Sequence, residues 1–263
     1  MKRTRIIAAV ALLIVACVAR AAPPPPSSTL AAVIAGPQRT PAFMARDRYR
    51  HPLEGLEFFG LKPDMSVVEI WPSGGWWTEI LAPYLRAQGK YYAAIEPPDR
   101  DAAFHDKITA SPQYYDHVIM TEAGPPDHWQ IAPPGSVDMV LTFRNVHNWL
   151  EAGDEKKMFA AMYRALKPGG VLGLVEHRAA PGTTRADWVK TGYVSEDFVI
   201  KLAREAGFRL AAKSEINANP KDTKDYPKGV WTLPPTLTMG EKDRAKYLAI
   251  GESDRMTLKF VKP

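Results

Sequence analysis

Short apolar runs rich in β-branched and aromatic residues recur along this chain, with helix-patterned stretches between them. They are SVVEIW (66–71), YYAAIE (91–96), DHVIMT (116–121), VDMVLTF (137–143) and VLGLVE (171–176). Continuous apolar strands, as opposed to alternating ones, need cover on both faces. Strands separated by helices predict βαβ units and a mainly parallel sheet. Between the first two runs, Trp77, Ile80, Leu81, Tyr84 and Leu85 share one helical face, with Pro83 limiting the helix. Asp101–Ile108 reads as a helix, as does Glu155–Leu166 with Asp154 as N-cap and the KPGG turn (167–170) as its stop. Ser195 caps another helix through Ala206, closed by Gly207. Phe208–Ile216 and Met256–Val261 add two strands. The 24 prolines among 263 residues are well above ordinary usage, which disfavours an all-helical bundle.

The first residues predict export. Lys2, Arg3 and Arg5 form a positive head, residues 6–18 an apolar run, and Ala19-Arg20-Ala21 a cleavage site, so 1–21 reads as a signal peptide. The run is shorter than the ~20 residues a bilayer-crossing helix needs, so no membrane span is expected after cleavage. Ile14-Val15-Ala16-Cys17 resembles a lipobox, which offers a lipid anchor at Cys17 as a variant of export. The expected location is the bacterial periplasm or its envelope. Cys17 is the single cysteine, so the cleaved chain would hold no disulfide and no thiolate nucleophile. Residues 22–40 read as a Pro-rich tether and N-terminal segment, and 41–263 as one domain. Lys2, Arg3, Arg5 and Arg20 account for most of the net charge of +5. No dense basic run remains, and no nucleic-acid partner is expected.

Ligands of such sheets bind beyond the carboxyl ends of the strands, where strand order reverses. The first strand runs into Trp71-Pro72-Ser73-Gly74-Gly75-Trp76, and a helix follows at once. Paired glycines let a ligand approach the backbone, and a helix start offers free N–H groups. Glu69, inside the strand end, would need hydrogen bonds from its surroundings.

This stretch resembles the first motif of the class I S-adenosylmethionine-dependent methyltransferases: an acid, then glycines at alternate positions. Glu69 matches the acid and Gly75 the last glycine, while Trp71 and Ser73 stand where glycines are usual. Glu96 ends the second strand, where the family's acid binds the ribose hydroxyls. Asp138 opens the fourth strand, and LKPGGVL (166–172) matches the family's turn into the fifth. The resemblance covers roughly residues 50–263. It implies a Rossmann-like, doubly wound α/β fold of seven strands in order 3-2-1-4-5-7-6, with helices on both faces. With proline and tryptophans in that motif behind an export signal, the chain resembles an exported bacterial group of predicted methyltransferases.

The resemblance implies S-adenosylmethionine as cofactor, bound by Glu69, Trp71, Pro72, Ser73, Gly74, Gly75, Trp76, Glu96, Pro97 and Arg144. Tyr49 and His51 would close over its amino-acid end. The loop after the fourth strand would lie between donor and acceptor. There His147 is a candidate general base and Asn145 an orienting group, with Asn148, Trp149, Glu176 and His177 on the substrate side. The histidines show no metal-binding spacing, so no metal is expected. The long insert before the last strand reads as a lid or substrate loop, and 251–255 as a polar turn. Methyl transfer to a small molecule is the leading reading. The alternative is an exported, non-catalytic ligand-binding protein on the same scaffold. A dinucleotide oxidoreductase ranks third, because no G-x-G-x-x-G cradle is present.

Overall fold

The computed structural model describes residues 29–98 and 102–263, so the expected export signal and the expected Pro23–Ser28 tether lie outside the described residues. Seven strands form one sheet: β1 (Ser66–Ile70), β2 (Lys90–Ile95), β3 (Val118–Glu122), β4 (Val137–Phe143), β5 (Leu166–His177), β6 (Arg209–Ser214) and β7 (Arg255–Val261). Their order is 3-2-1-4-5-7-6, as expected. β3, β2, β1, β4 and β5 pair in parallel, while β7 runs antiparallel to β5 and β6.

The inner strands are apolar on both sides because successive residues feed two separate cores. Val68, Ile70, Val140, Leu172 and Leu258 enter one cluster. Val67, Met139, Leu141 and Val175 enter the other. The helices are α1 (Leu30–Ile34), α2 (Pro41–Met44), α3 (Asp47–Arg50), α4 (Pro52–Phe59), α5 (Thr78–Leu85), α6 (Ala102–Ala110), α7 (Pro112–Tyr115), α8 (Val146–Ala152), α9 (Glu155–Ala165), α10 (Arg185–Thr191), α11 (Glu196–Glu205) and α12 (Arg244–Ile250). The second core is covered by apolar residues of α1, α4, α5 and α6, and the first by those of α8, α9 and α11. Among the described residues no helix is long and apolar enough to cross a membrane.

Several boundaries differ from expectation. Leu30 and Val33 of α1 are buried in the second core, so packing begins ahead of residue 41. Asp116 does not open β3; it closes α7 and pairs with Arg86 at 2.7 Å. Ser195 caps α11 through Phe198 N–H, whereas the Asp154 side chain makes no cap bond. Leu166–Gly170 stops α9 but already belongs to β5. The insert after β6 holds a 3-10 turn (Gly229–Thr232) and α12, and its Tyr226, Val230, Leu233 and Tyr247 form a small apolar cluster with Ala179 and Tyr193 from ahead of α11.

Candidate functional site

The β1–α5 loop decides the shape of the site. Trp71, Ser73 and Gly75 all hold positive φ, at 50°, 49° and 79°. Trp71 and Ser73 thus keep the left-handed backbone that glycine adopts freely, at a cost of about 1–2 kcal/mol each. The departure from the glycine pattern lies in the side chains, not in the path of the chain. Trp71 is held by its indole N–H, which donates to the Ala123 carbonyl at 2.7 Å, and by an edge contact with Trp149. The helix expected directly after Gly75 starts later: Trp76 and Trp77 still belong to a turn, and α5 begins at Thr78.

Two adjoining cavities open over this loop. One, of about 480 Å³, is lined by Trp71, Ser73, Ile95, Glu96, Pro97 and Phe104 among others. The second, of about 290 Å³, reaches Arg46, Arg50, Glu69, Gly74, Trp76 and Arg144. They share Trp71, Pro72, Ser73, Asn145 and Asn148, so they form one cleft at the carboxyl ends of β1, β2 and β4. Strand order reverses between β1 and β4. Glu96 is exposed at the edge of the larger cavity, and its carboxylate has no partner among the described residues. Gly74 is exposed, with only Phe43 near the position of a Cβ, so the backbone is open to a ligand there.

Glu69 is buried on β1 and accepts from Tyr91 O–H and Thr78 O–H. Burial pushes its carboxyl up to about 7; the two hydroxyls and Arg50 oppose that only in part.

No protein-family model matches the chain, and no curated protein matches it by sequence. Solved structures do match in fold. A SAM-dependent methyltransferase from Aquifex aeolicus superposes with TM-score 0.56 at 16% identity, over 89% of this chain and 99% of that one. An N-methyltransferase from Haemonchus contortus, solved with phosphomonomethylethanolamine and S-adenosylhomocysteine, gives TM-score 0.56 at 16% identity, over 89% of this chain and 61% of that one. The [4+2]-cyclase SpnF gives TM-score 0.53 at 16% identity, over 81% of each chain. The fold is that of the class I methyltransferases. A cyclase shares it, so function has to be argued from the site.

The loop after β4 splits in two directions. Asn145 lines the cleft, but its amide N–H groups hold the Ile70 carbonyl at 2.9 Å and Thr142 Oγ1 at 3.2 Å, tying β1 to β4. Asn148 lines both cavities. His147 lines neither. Its Nδ1 lies 3.1 Å from Glu176 Oε1, and its ring packs near His177 and Trp231. With Glu176 Oε1 accepting a hydrogen bond from Nδ1–H, Nε2 is left as the acceptor. His177 contacts Ser253 Oγ through Nδ1. Burial, then His147, Arg144, Arg255 and Arg50, lower the His177 pKa well below the ordinary histidine range. His147, Glu176 and His177 bring ligand-capable atoms within 4.8 Å of one another. The resemblance puts all three on the acceptor side, but no local spacing pairs them, because they come from α8 and the end of β5. The guanidiniums of Arg144, Arg255 and Arg50, which disfavour a proton on His177, oppose a divalent cation there as well.

Other expected residues lie elsewhere. Trp149 is fully buried between Trp71 and Phe159, a core residue and not a substrate contact. Glu176 and His177 are buried and line neither cavity. Tyr49 and His51 line neither cavity either. The Tyr49 ring packs on Gly251 and under Arg48, while His51, with φ 45°, joins α3 to α4. Arg46 and Arg50, from the same segment, line the smaller cavity instead. Gly75 is buried against Phe104 and Lys107, where a Cβ would lie 3.1 Å from Lys107 Cδ. Trp76 stays at the cleft, with Arg39 and Arg50 over its ring at 4.9 and 4.6 Å. The expected polar turn at 251–255 is buried: Glu252 and Arg255 join the arginine group behind the cleft. An i, i+4 arginine pair in RDRYR (46–50) was the available signal for that group.

Proposed function

We propose that this chain binds S-adenosylmethionine in the cleft and transfers its methyl group to a small-molecule acceptor. The observation that carries this reading is Glu96, a carboxylate just past the end of β2 that has no partner among the described residues and faces a cavity floored by a loop of alternate left-handed residues. The cofactor, when bound, supplies an electrophilic methyl group on a sulfonium. Glu96 would accept both ribose hydroxyls. The open backbone at Ser73–Gly74 would take the ligand closely. The faces of Trp71 and Trp76 suit a cation nearby. Asn145 keeps the ends of β1 and β4 in fixed register, which holds the floor of the cleft in place. On the acceptor side, His147 would take an ionisable proton at Nε2, oriented by Glu176. In-line displacement needs positioning and exclusion of water, not a protein nucleophile. Residues 1–21 support export of this enzyme to the periplasm.

The test is calorimetric titration of the chain from Ala22 with S-adenosylmethionine and S-adenosylhomocysteine. Micromolar binding, weakened about tenfold or more in Glu96→Ala, is expected. No binding at millimolar ligand by a folded chain would remove the proposal.

A further inference from the structure

Trp71 stands where glycine is usual in the first motif of the resembled family. Among the residues that line both halves of the cleft it is the only aromatic one. Its backbone carries the β1–β2 ladder one step further. After the Ile70–Ala94 pair, Trp71 N–H donates to the Ala94 carbonyl at 2.8 Å. Its indole N–H reaches the Ala123 carbonyl, just past the end of β3. β2 lies between those two strands. Neighbouring strands are about 4.8 Å apart, so this side chain reaches over about two such spacings. The indole therefore lies across the carboxyl end of β2, where Ala123 N–H donates to the Ile95 carbonyl at 2.8 Å. One residue ties three strand ends together.

The indole lines the site without filling it. A cavity of about 480 Å³ remains between Trp71 and a wall made by Glu96, Pro97 and Phe104. The ring is half-buried and packs against the first core. Its contact with Trp149 is edge-on, with centroids 5.9 Å apart and planes at 82°. An edge-on pair covers at most one face of a ring and leaves the other open. The indole N–H is already bonded to Ala123, so what the side chain has to offer a ligand is an aromatic face. Position 124 is a glycine. A Cβ there would lie 3.0 Å from Pro97 Cδ and 3.9 Å from Trp71 Cζ2, so its absence keeps the outer rim of the indole clear.

The rest of the larger cavity matches such a face. Ile95, Pro97, Pro98 and Phe104 are apolar, and Glu96 is the single charged residue of the lining. An aromatic floor, apolar walls and one carboxylate suit a flat base joined to a sugar diol. We infer that Trp71 is the specificity-determining residue for the nucleoside end of the cofactor: the base stacks on its indole, so tryptophan tightens a site in which glycine would leave the base unsupported. This rests on the methyl-transfer reading. Stacking of a base on an aromatic side chain carries a factor of about ten or more in affinity.

The test is calorimetric titration of the chain from Ala22 with adenosine and with S-adenosylhomocysteine. The wild type is compared with Trp71→Phe, Trp71→Leu and Trp71→Gly, each checked for fold by circular dichroism. Trp71→Phe and Trp71→Leu both lose the bond to Ala123, so the aromatic face is what separates them. Trp71→Phe is expected to bind both ligands within about threefold of the wild type, and Trp71→Leu and Trp71→Gly about tenfold or more weakly. The Phe and Leu variants decide the matter even where Trp71→Gly fails to fold. Equal affinity in those two overturns the inference, because position 71 would then act through volume alone. Tighter binding by Trp71→Gly also overturns it, because the indole would then occupy the place of the base. In both cases binding of S-adenosylhomocysteine by the wild type leaves the methyl-transfer reading standing. No binding of either ligand by the folded wild type removes both.

Discussion

Trp71 shows at a single residue how opposing energies settle. Its left-handed backbone costs about 1–2 kcal/mol, while truncating its indole, half-buried against the first core and bonded to the Ala123 carbonyl, costs about 2–3 kcal/mol. Packing wins, so Trp71→Gly should lower stability in urea denaturation even though it relieves strain. Ser73 is exposed and its side chain packs on nothing comparable. Ser73→Gly should therefore raise stability by up to about 1 kcal/mol in the same measurement. Glu69 gives a pH prediction. Its carboxyl titrates near 7 when folded, against 4.5 as the reference value. The folded state keeps the proton over that interval and the unfolded chain releases it. The stability tied to this proton is full below about pH 4.5 and is lost as pH rises through 7, by about 3 kcal/mol in all. Glu69→Gln does not titrate, so the variant should lack that part of the decline when urea midpoints at pH 5 and pH 8 are compared. The glycine-like path at residues 71 and 73 was hidden in the sequence, because side-chain identity argues against positive φ there.

At the scale of elements, the apolar runs and their spacing were enough to locate every strand to within a few residues. Boundaries slipped where a short helix competed, as Asp116 did by closing α7. They also slipped where pairing ran past a turn motif, as at Leu166–Gly170. Ser195 was legible because its hydroxyl meets the N–H three residues on, at 3.3 Å. Ser195→Ala should cost about 1 kcal/mol, read from the urea midpoint, with the sheet otherwise unchanged. The insert after β6 was legible as long and proline-rich, but not as packed. Its apolar cluster and the Trp231 contact on His147 depend on partners far away in sequence. Trp231→Ala should therefore lower turnover through disorder around His147, with the affinity for S-adenosylmethionine unchanged in calorimetry.

For the whole molecule, sheet order and both cores followed from pattern and resemblance, while the arginine group did not. Its members lie at residues 46, 50, 144 and 255, and no local pattern ties them together. β7 is what brings the last of them in. It lies between β5 and β6, not at an edge, and Met256, Leu258 and Phe260 are fully buried. A chain cut before Arg255 should lose cooperative thermal unfolding and expose apolar surface to dye, because a sheet with an open interior seam leaves both neighbours unpaired. The placement of β7 also bears on timing. This strand follows every other in the chain, yet it fills an inner position. A polypeptide emerging from a ribosome amino end first has nothing to close that seam until the strand arrives. The seam between β5 and β6 therefore closes last, after the rest of the sheet has been made.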